Sequence, residues 1–350
     1  MREKAAISII TIFSFALLFS GRLPAGDGET FYFTVTSDPH GGYERFGHLC
    51  DAINKHLGGA GAFHVTTGDQ VGSIAKNRAV IDKYFGKTAL WYPIAGNHDI
   101  DKPTALDWLR NEFENGNSLR SPIRERIKNA GPAGSSRTTY SWDYGNAHFI
   151  VLNVYWNGEA NEGTGRENGS DTAGKGDIVP ALLKWLKEDL AANHKPFTFV
   201  FGHEPAFPSK RHEGNSLDAY GQNRDAFWSL LESAGVTAYV CGHTHYYSAR
   251  KGDAGNAGNV WQIDAGSAAR NEDGQTFLQF IVGSREASLN VYRNSGSPSY
   301  VKAASFTFMP GNKIANDESG QRPCILQSVI RYSKDCFKSG PGRSRLGSVL

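Results

Sequence analysis

No sign of charge dominates this 350-residue chain: 37 Lys and Arg stand against 35 Asp and Glu. Without the first 26 residues the count is 34 against 34. The composition therefore lacks the basic excess that nucleic acid or an anionic membrane surface demands, and no nucleic-acid partner is expected. A small-molecule partner suits such a balance better. Long hydrophobic runs are also scarce. The one sustained stretch, Ala5 to Ser20, has 16 residues, short of the roughly 20 that span a bilayer. No repeat recurs at a fixed period. Cysteine is sparse, with four residues at 50, 241, 324 and 336, and sequence alone does not fix their pairing.

The short apolar run has its own meaning. Arg2 and Lys4 precede it and Pro24-Ala25-Gly26 follows it, the order of a secretory signal peptide cleaved near Ala25 or Gly26. Residues 1–26 are thus expected to direct the chain to a secreted or periplasmic location, with no stable membrane insertion after cleavage. No cysteine follows the run, which argues against a lipid-modified terminus. An oxidising compartment permits disulfides. Cys324 and Cys336 flank a loop short enough to bridge, whereas Cys241 sits in an apolar strand and reads as buried.

About 320 residues remain, which one large domain can hold. We expect a single catalytic domain over 27–309 and a tail over 310–350. The tail is partly disordered at its Gly, Ser and Arg-rich end. Forty glycines and many short β-rich runs between Asn, Asp and Gly clusters argue for a loop-rich α/β body.

One design recurs along the chain. Phe31 to Thr36 reads as a strand stopping at Ser37-Asp38-Pro39-His40; Ala62 to Thr67 stops at Gly68-Asp69; Leu90 to Ala95 stops at Gly96-Asn97-His98-Asp99. Later, Phe197 to Phe201 stops at Gly202-His203, and Val236 to Cys241 stops at Gly242-His243-Thr244-His245. Loops at the carboxyl ends of strands in open α/β sheets converge on one edge, where ligands bind. Helices are expected from Arg45 to His56, from a cap at Asp177 to Ala192, and from Gly221 to Ala234. Thr138–Asp143 and Ala147–Val154 should pair across a Gly145-Asn146 hairpin turn. Further strands follow near Val260–Asp264, Thr276–Val282 and Ala287–Tyr292. Tyr155 to Lys175 is expected as a surface loop near the site.

Each motif alone is weak. Together, in order and each at a strand end, they place carboxylates and imidazoles on convergent loops, a combination that needs a cation to hold it. These nitrogen and oxygen ligands admit Mn, Fe, Zn or Mg. If the strand-end turns stay extended, residues two apart point the same way, so Asp38 with His40 and His243 with His245 reach inward together.

The five motifs resemble those of the calcineurin-like metallophosphoesterase superfamily, over roughly Phe31 to Tyr292. The resemblance implies a four-layer αββα sandwich, two mixed β-sheets flanked by helices, with a centre of two divalent metal ions at the sheet edge. It implies that Asp38, His40 and His245 hold one ion, that Asn97, His203 and His243 hold the other, and that Asp69 bridges them. His98 then contacts the substrate phosphate or protonates the leaving oxygen, and Asp99 orients it. Two such ions can generate a hydroxide at neutral pH and clamp phosphoryl oxygens.

The implied reaction is hydrolysis of phosphomonoesters or phosphodiesters, with a small organic phosphate as substrate. A nuclease or cyclic-nucleotide phosphodiesterase of the same fold is the alternative within the family. A non-catalytic cell-surface binding protein with structural metals is the alternative outside it.

Purple acid phosphatases, a branch of this superfamily, carry a tyrosine three residues after the bridging aspartate. Here that place is Gly72, which disfavours a charge-transfer ferric site. Arg137 and Arg211 are candidates for forked phosphate contacts, and His212 is a further candidate for reaching substrate. Tyr246 and Tyr247 either line the leaving-group pocket or cover the sheet edge. The remaining histidines, His48, His56, His64, His148 and His194, read as structural.

Overall fold

A computed structural model describes residues 29–101, 103–116, 119–161, 175–252, 258–270, 272–294 and 299–311. The segment expected as a signal peptide, Cys324, Cys336 and the expected tail beyond 311 lie outside them, as does most of the stretch 155–175 expected as a loop. All described residues belong to one compact unit, Met1–Ile314. No helix among them is long and apolar enough to cross a membrane.

The first half of the chain folds as β1 (Phe31–Thr36), α1 (Tyr43–Leu57), β2 (His64–Thr66), α2 (Ile74–Phe85), β3 (Trp91–Pro93), the single-turn α3 (Asn97–Ile100) and α4 (Pro103–Asn115). It continues through β4 (Asn129–Ala130), β5 (Tyr140–Tyr144), β6 (Ala147–Val151), α5 (Pro180–Ala192) and β7 (Phe197–Phe201). The rest is α6 (Gly221–Ser233), β8 (Ala238–Cys241), β9 (Tyr247–Lys251), β10 (Trp261–Ala265), β11 (Thr276–Val282), β12 (Ala287–Arg293) and β13 (Val301–Phe308).

Two mixed sheets result. The first has the order β13-β12-β11-β1-β2-β3 and the second β4-β5-β6-β7-β8-β10-β9. β1, β2 and β3 run parallel, as do β6, β7, β8 and β10. The parallel strands of each sheet therefore deliver their carboxyl ends to a common edge. β5 and β6 pair antiparallel across the expected Gly145-Asn146 turn.

Aromatic rings fasten the sheets face to face. Phe33 of β1 stacks on Phe63 at 5.0 Å and Phe280 at 4.9 Å, and presents its edge to Phe149 at 5.2 Å and Phe199 at 5.4 Å from the other sheet. Edge-to-face and offset contacts of this kind contribute beyond the area they bury. A second apolar layer, with Leu182, Leu186, Phe227 and Leu231, seats α5 and α6 on the outer face of the second sheet. A third, with Phe46, Leu49, Ile53, Ile81 and Leu109, seats α1, α2 and α4 on the first. Layers of helix, sheet, sheet and helix follow, as the sequence implied.

Asp177 is not the cap of α5. Val179 occupies that position, followed by Pro180 in the first turn, where a missing N–H costs nothing. Both Asp177 carboxylate oxygens instead accept from Asn223 Nδ2 at 2.9 Å, joining the α5 entry to α6. Cys50 and Cys241 are buried free thiols.

Candidate metal centre

Five strand ends carry the motif residues: β1, β2 and β3 of the first sheet, and β7 and β8 of the second. The turns after them are not extended. Among the described residues eight non-glycines have positive φ, and five of these are Asp38, His40, Asp69, His243 and His245, at 46° to 72°. This left-handed region costs an ordinary residue about 1–3 kcal/mol and is tolerated best by Asn, Asp and His. The side chains at 38 and 40, and at 243 and 245, do converge. They do so through strained turns rather than by the alternation of an extended strand.

Small residues let the loops approach. A Cβ at Gly242 would collide with the Ser37 hydroxyl and the Asp38 carboxylate, so only glycine brings the β8 loop against the β1 loop. The His243 N–H then donates to Asp38 Oδ2 at 3.0 Å.

Two groups of ligand-type atoms form. Asp38, His40, Asp69 and His245 each offer one atom, and all four lie within 4.8 Å of one another. His40 Nε2 stands 3.0 Å from Asp69 Oδ2 and 3.4 Å from Asp38 Oδ1. His245 Nε2 is likewise 3.4 Å from Asp38 Oδ1. In the second group Asn97 Oδ1 lies 3.2 Å from His203 Nε2 and 3.1 Å from His243 Nδ1. Asp69 belongs to both, because its Oδ1 is 3.5 Å from His203 Nε2. The seven residues singled out as ligands are thus brought together, with Asp69 between the two groups.

Electrostatics show what the arrangement requires. Burial alone would raise the carboxyls of Asp38 and Asp69, yet His203 and His40, with His245 beside Asp38, hold both far below the usual range. Burial likewise opposes charge on His203 and His40, but the two aspartates lift them to about 10 and about 9. His243, buried and repelled by His203 and His212, falls well below its ordinary value. Two desolvated carboxylates demand positive charge here, and without a cation only histidine protons provide it. Asp38 Oδ1, aimed into the cluster, is buried without a hydrogen-bond partner. The donor set and this orphaned oxygen fit a divalent cation.

His98 is different in kind. Its side chain is 48% exposed, and its Nε2 is 4.0 Å from Asp69 Oδ2. The ring stands at the mouth, outside both groups, while its main-chain N–H donates to Asp69 Oδ1 at 3.0 Å. Asp99 does not orient that ring in this structure. Its oxygens accept the N–H groups of Gly96, Gln70 and Val71 at 2.9 to 3.2 Å, buckling the β3 loop to the β2 loop. Burial and the nearby Asp69 raise its carboxyl to about 7. The carboxylate beside the His98 ring belongs to Asp101, 3.6 Å from Nδ1.

Other supports were not anticipated. Thr244, between the two β8-loop histidines, donates to Asp264 Oδ2 at 2.7 Å, and Ser267 donates to the Asp38 carbonyl at 3.0 Å. A signal existed: β10 ends in Asp264-Ala-Gly-Ser267, one more strand stopping at Asp and Gly. Glu204, next to His203, accepts from the Tyr155 hydroxyl at 3.0 Å and the Gly176 N–H at 2.7 Å.

His212 stacks on His243 with ring centroids 4.0 Å apart, and Arg211 Nη1 donates to His245 Nδ1. Arg137 is elsewhere, lining a small cavity with Leu109 and Tyr140. Tyr247 starts the edge strand β9, and Tyr246 lies under the Lys210 ammonium at 5.1 Å. His64 is held between the hydroxyls of Thr34 and Thr36 at 2.8 and 2.9 Å, a structural role as expected.

The chain belongs to the calcineurin-like phosphoesterase family, whose model matches residues 31–247. It is 29% identical over 154 residues to an acid phosphatase of Aspergillus ficuum, covering 35% of this chain and 24% of that one. It is 38% identical over 68 residues to human tartrate-resistant acid phosphatase type 5, 19% of each chain. The matches therefore span less than a quarter of these relatives' length. A purple acid phosphatase from yellow lupin seeds (Lupinus luteus) shares the fold with a TM-score of 0.53, at 14% identity over 82% of this chain and 55% of the other. Gly72, three residues after Asp69, sits on left-handed backbone. Its φ is +80°, and a side chain there would meet the Tyr43 hydroxyl, which takes the Ser73 N–H at 2.8 Å.

Proposed function

We propose that this chain is a metal-dependent phosphoric ester hydrolase acting on a small organic phosphate outside the cytoplasm. In this reading Asp38, His40 and His245 hold one divalent ion, Asn97, His203 and His243 hold a second, and Asp69 touches both. One observation carries it: side chains from five strand-end loops, five of them on left-handed backbone, meet around a buried carboxylate oxygen that accepts no hydrogen bond. Strain and desolvation of that extent persist where a bound group repays them.

Two divalent ions, when bound, supply Lewis acidity toward phosphoryl oxygens and a nucleophile at neutral pH. The chain's own residues do the rest. The Asp99 buckle and the Thr244–Asp264 bond fix the loops, so ligand atoms need little rearrangement. His98, at the mouth and outside both groups, gives a proton to the leaving oxygen. Asp101 stands 3.6 Å from its Nδ1, and the His98 main-chain N–H is tied to Asp69. Secretion is supported by the charged start, short apolar run and Pro24-Ala25-Gly26 of the sequence.

The test is elemental analysis of residues 27–350, paired with turnover of a chromogenic phosphomonoester and its diester with and without Mn. His98→Ala should lower kcat about 10²- to 10⁴-fold with metal content and melting temperature unchanged. Full activity in that variant would remove His98 from the mechanism. No metal and no turnover in the wild type would defeat the reading.

A further inference from the structure

Arg211 and Arg270 approach the first group of ligands from two different loops, one after β7 and one after β10. Arg211 Nη1 donates to His245 Nδ1, and Arg270 Nη2 lies 3.5 Å from His40 Nδ1. Each guanidinium therefore addresses the outward nitrogen of a histidine whose Nε2 faces Asp38 or Asp69. Arg211 is half-buried and Arg270 exposed, so both stand at the rim rather than in the core.

The Arg211–His245 contact cannot survive metal binding as it stands. A neutral imidazole has one donor and one acceptor nitrogen. When Nε2 gives its lone pair to a cation, Nδ1 carries the proton and no longer accepts. A guanidinium has only donors, so Arg211 must then find another acceptor. His245 has a replacement partner in Glu272, whose Oε1 is 3.8 Å from Nδ1, giving the carboxylate–histidine–metal arrangement that orients such ligands. Glu272 is mostly solvated.

We propose that Arg211, freed from His245 when the first ion binds, and Arg270 form a clamp for the terminal phosphoryl group of a phosphomonoester dianion. The proposal rests on the hydrolase reading and narrows its substrate class. A terminal phosphoryl group offers three oxygens and two charges, whereas a diester offers two oxygens and one charge, so a guanidinium pair favours the monoester. Lys210, beside Arg211 and over the Tyr246 ring, adds to the positive rim.

The probe is inorganic phosphate, titrated calorimetrically into Mn-loaded and metal-free protein, with metal content measured on each sample. Loaded wild type should bind phosphate, and Arg211→Gln and Arg270→Gln should each weaken binding about tenfold or more at unchanged metal content. Arg211→Lys should recover part of the loss. The monoester-to-diester ratio of kcat/KM should fall in both variants. Phosphate affinity within twofold of wild type in both variants, or a loss explained by lost metal, overturns the clamp. If phosphate binding depends on the arginines but the wild type turns over neither ester, the clamp stands and the hydrolase reading fails.

Discussion

Two buried clusters in this molecule are built from the same residue types and behave oppositely. At the amino end of β6, His148 lies between Asp143 and Asp189, with Nδ1–Oδ1 at 2.6 Å and Nε2–Oδ2 at 2.8 Å. Every remaining carboxylate oxygen there is taken: Asp189 Oδ1 accepts from Ser141 and Asn129 at 2.7 and 2.8 Å, and Asp143 Oδ2 from Lys128 at 2.9 Å. The backbone is ordinary strand and helix. At the motif edge, by contrast, the backbone is left-handed, histidine nitrogens face one another, as His245 Nε2 and His40 Nε2 do at 3.0 Å, and Asp38 Oδ1 accepts no hydrogen bond. An Asp and His cluster alone does not identify a metal centre. Strain and unsatisfied atoms pointing into one shared space do.

Substitution should separate the two clusters most sharply at Asp69. Asp69→Asn should cost about a thousandfold or more in turnover, a loss of several kcal/mol in transition-state stabilisation, and reduce bound metal. The metal-free protein should also lose some stability, because Asp69 is the counter-charge of the buried His40 and His203, so metal content and turnover are the readouts that set this site apart. Denaturant unfolding beside steady-state assays checks both halves.

The opposite pattern is expected at the closed cluster. Asp189→Asn or His148→Ala should destabilise the fold by about 3 kcal/mol, the cost of leaving a buried charge alone, and leave metal content unchanged. Equal metal loss there would erase the distinction between the clusters.

Chelation should act only at the motif edge. Removing ions present at a hundred times their dissociation constant should cost about 2.7 kcal/mol of apparent stability per ion and abolish turnover, both restored by added Mn. The His148 and Asp189 variants should lose the same increment, measured by thermal unfolding with and without chelator.

The smallest expected effect is a pH window. Burial lowers the His148 imidazole, but its two carboxylates outweigh this and raise it above 6.5. Its contribution is therefore complete below pH 6.5 and lost as pH rises through the higher folded value. Burial raises Asp143, but His148 and Lys128 hold it at about 2; Asp189 is also held low. Their contribution is present above about pH 4 and lost as pH falls below that. The stability gap between wild type and His148→Gln should be widest between about pH 4 and 6.5 and narrow on both sides. A flat gap would contradict the ion-pair account of this cluster.

Much of the fold and of the candidate site was legible because strand ends advertise themselves: an apolar run stopping at Gly with Asp, Asn or His is a local signal. What stayed hidden is where burial and residue type disagree. α2 buries Ile74, Asn77, Arg78 and Ile81, a helical period masked by two polar members. β13 is an edge strand exposed along most of its length, so no alternation marks it. The roles of Asp99 and Asp177 depend on which distant N–H groups they meet, Gln70 and Val71 for one and Asn223 for the other. Local spacing does not encode that. The left-handed turns were equally invisible, since Asp and His permit such backbone without requiring it.

The most direct test is the metal content of the purified chain and of Asp69→Asn by elemental analysis after loading with Mn. About two ions per wild-type chain, as dinuclear sites hold, with clear loss in the variant, is the predicted result. A wild-type chain that retains no ion, or a variant that retains the full complement, would contradict the account.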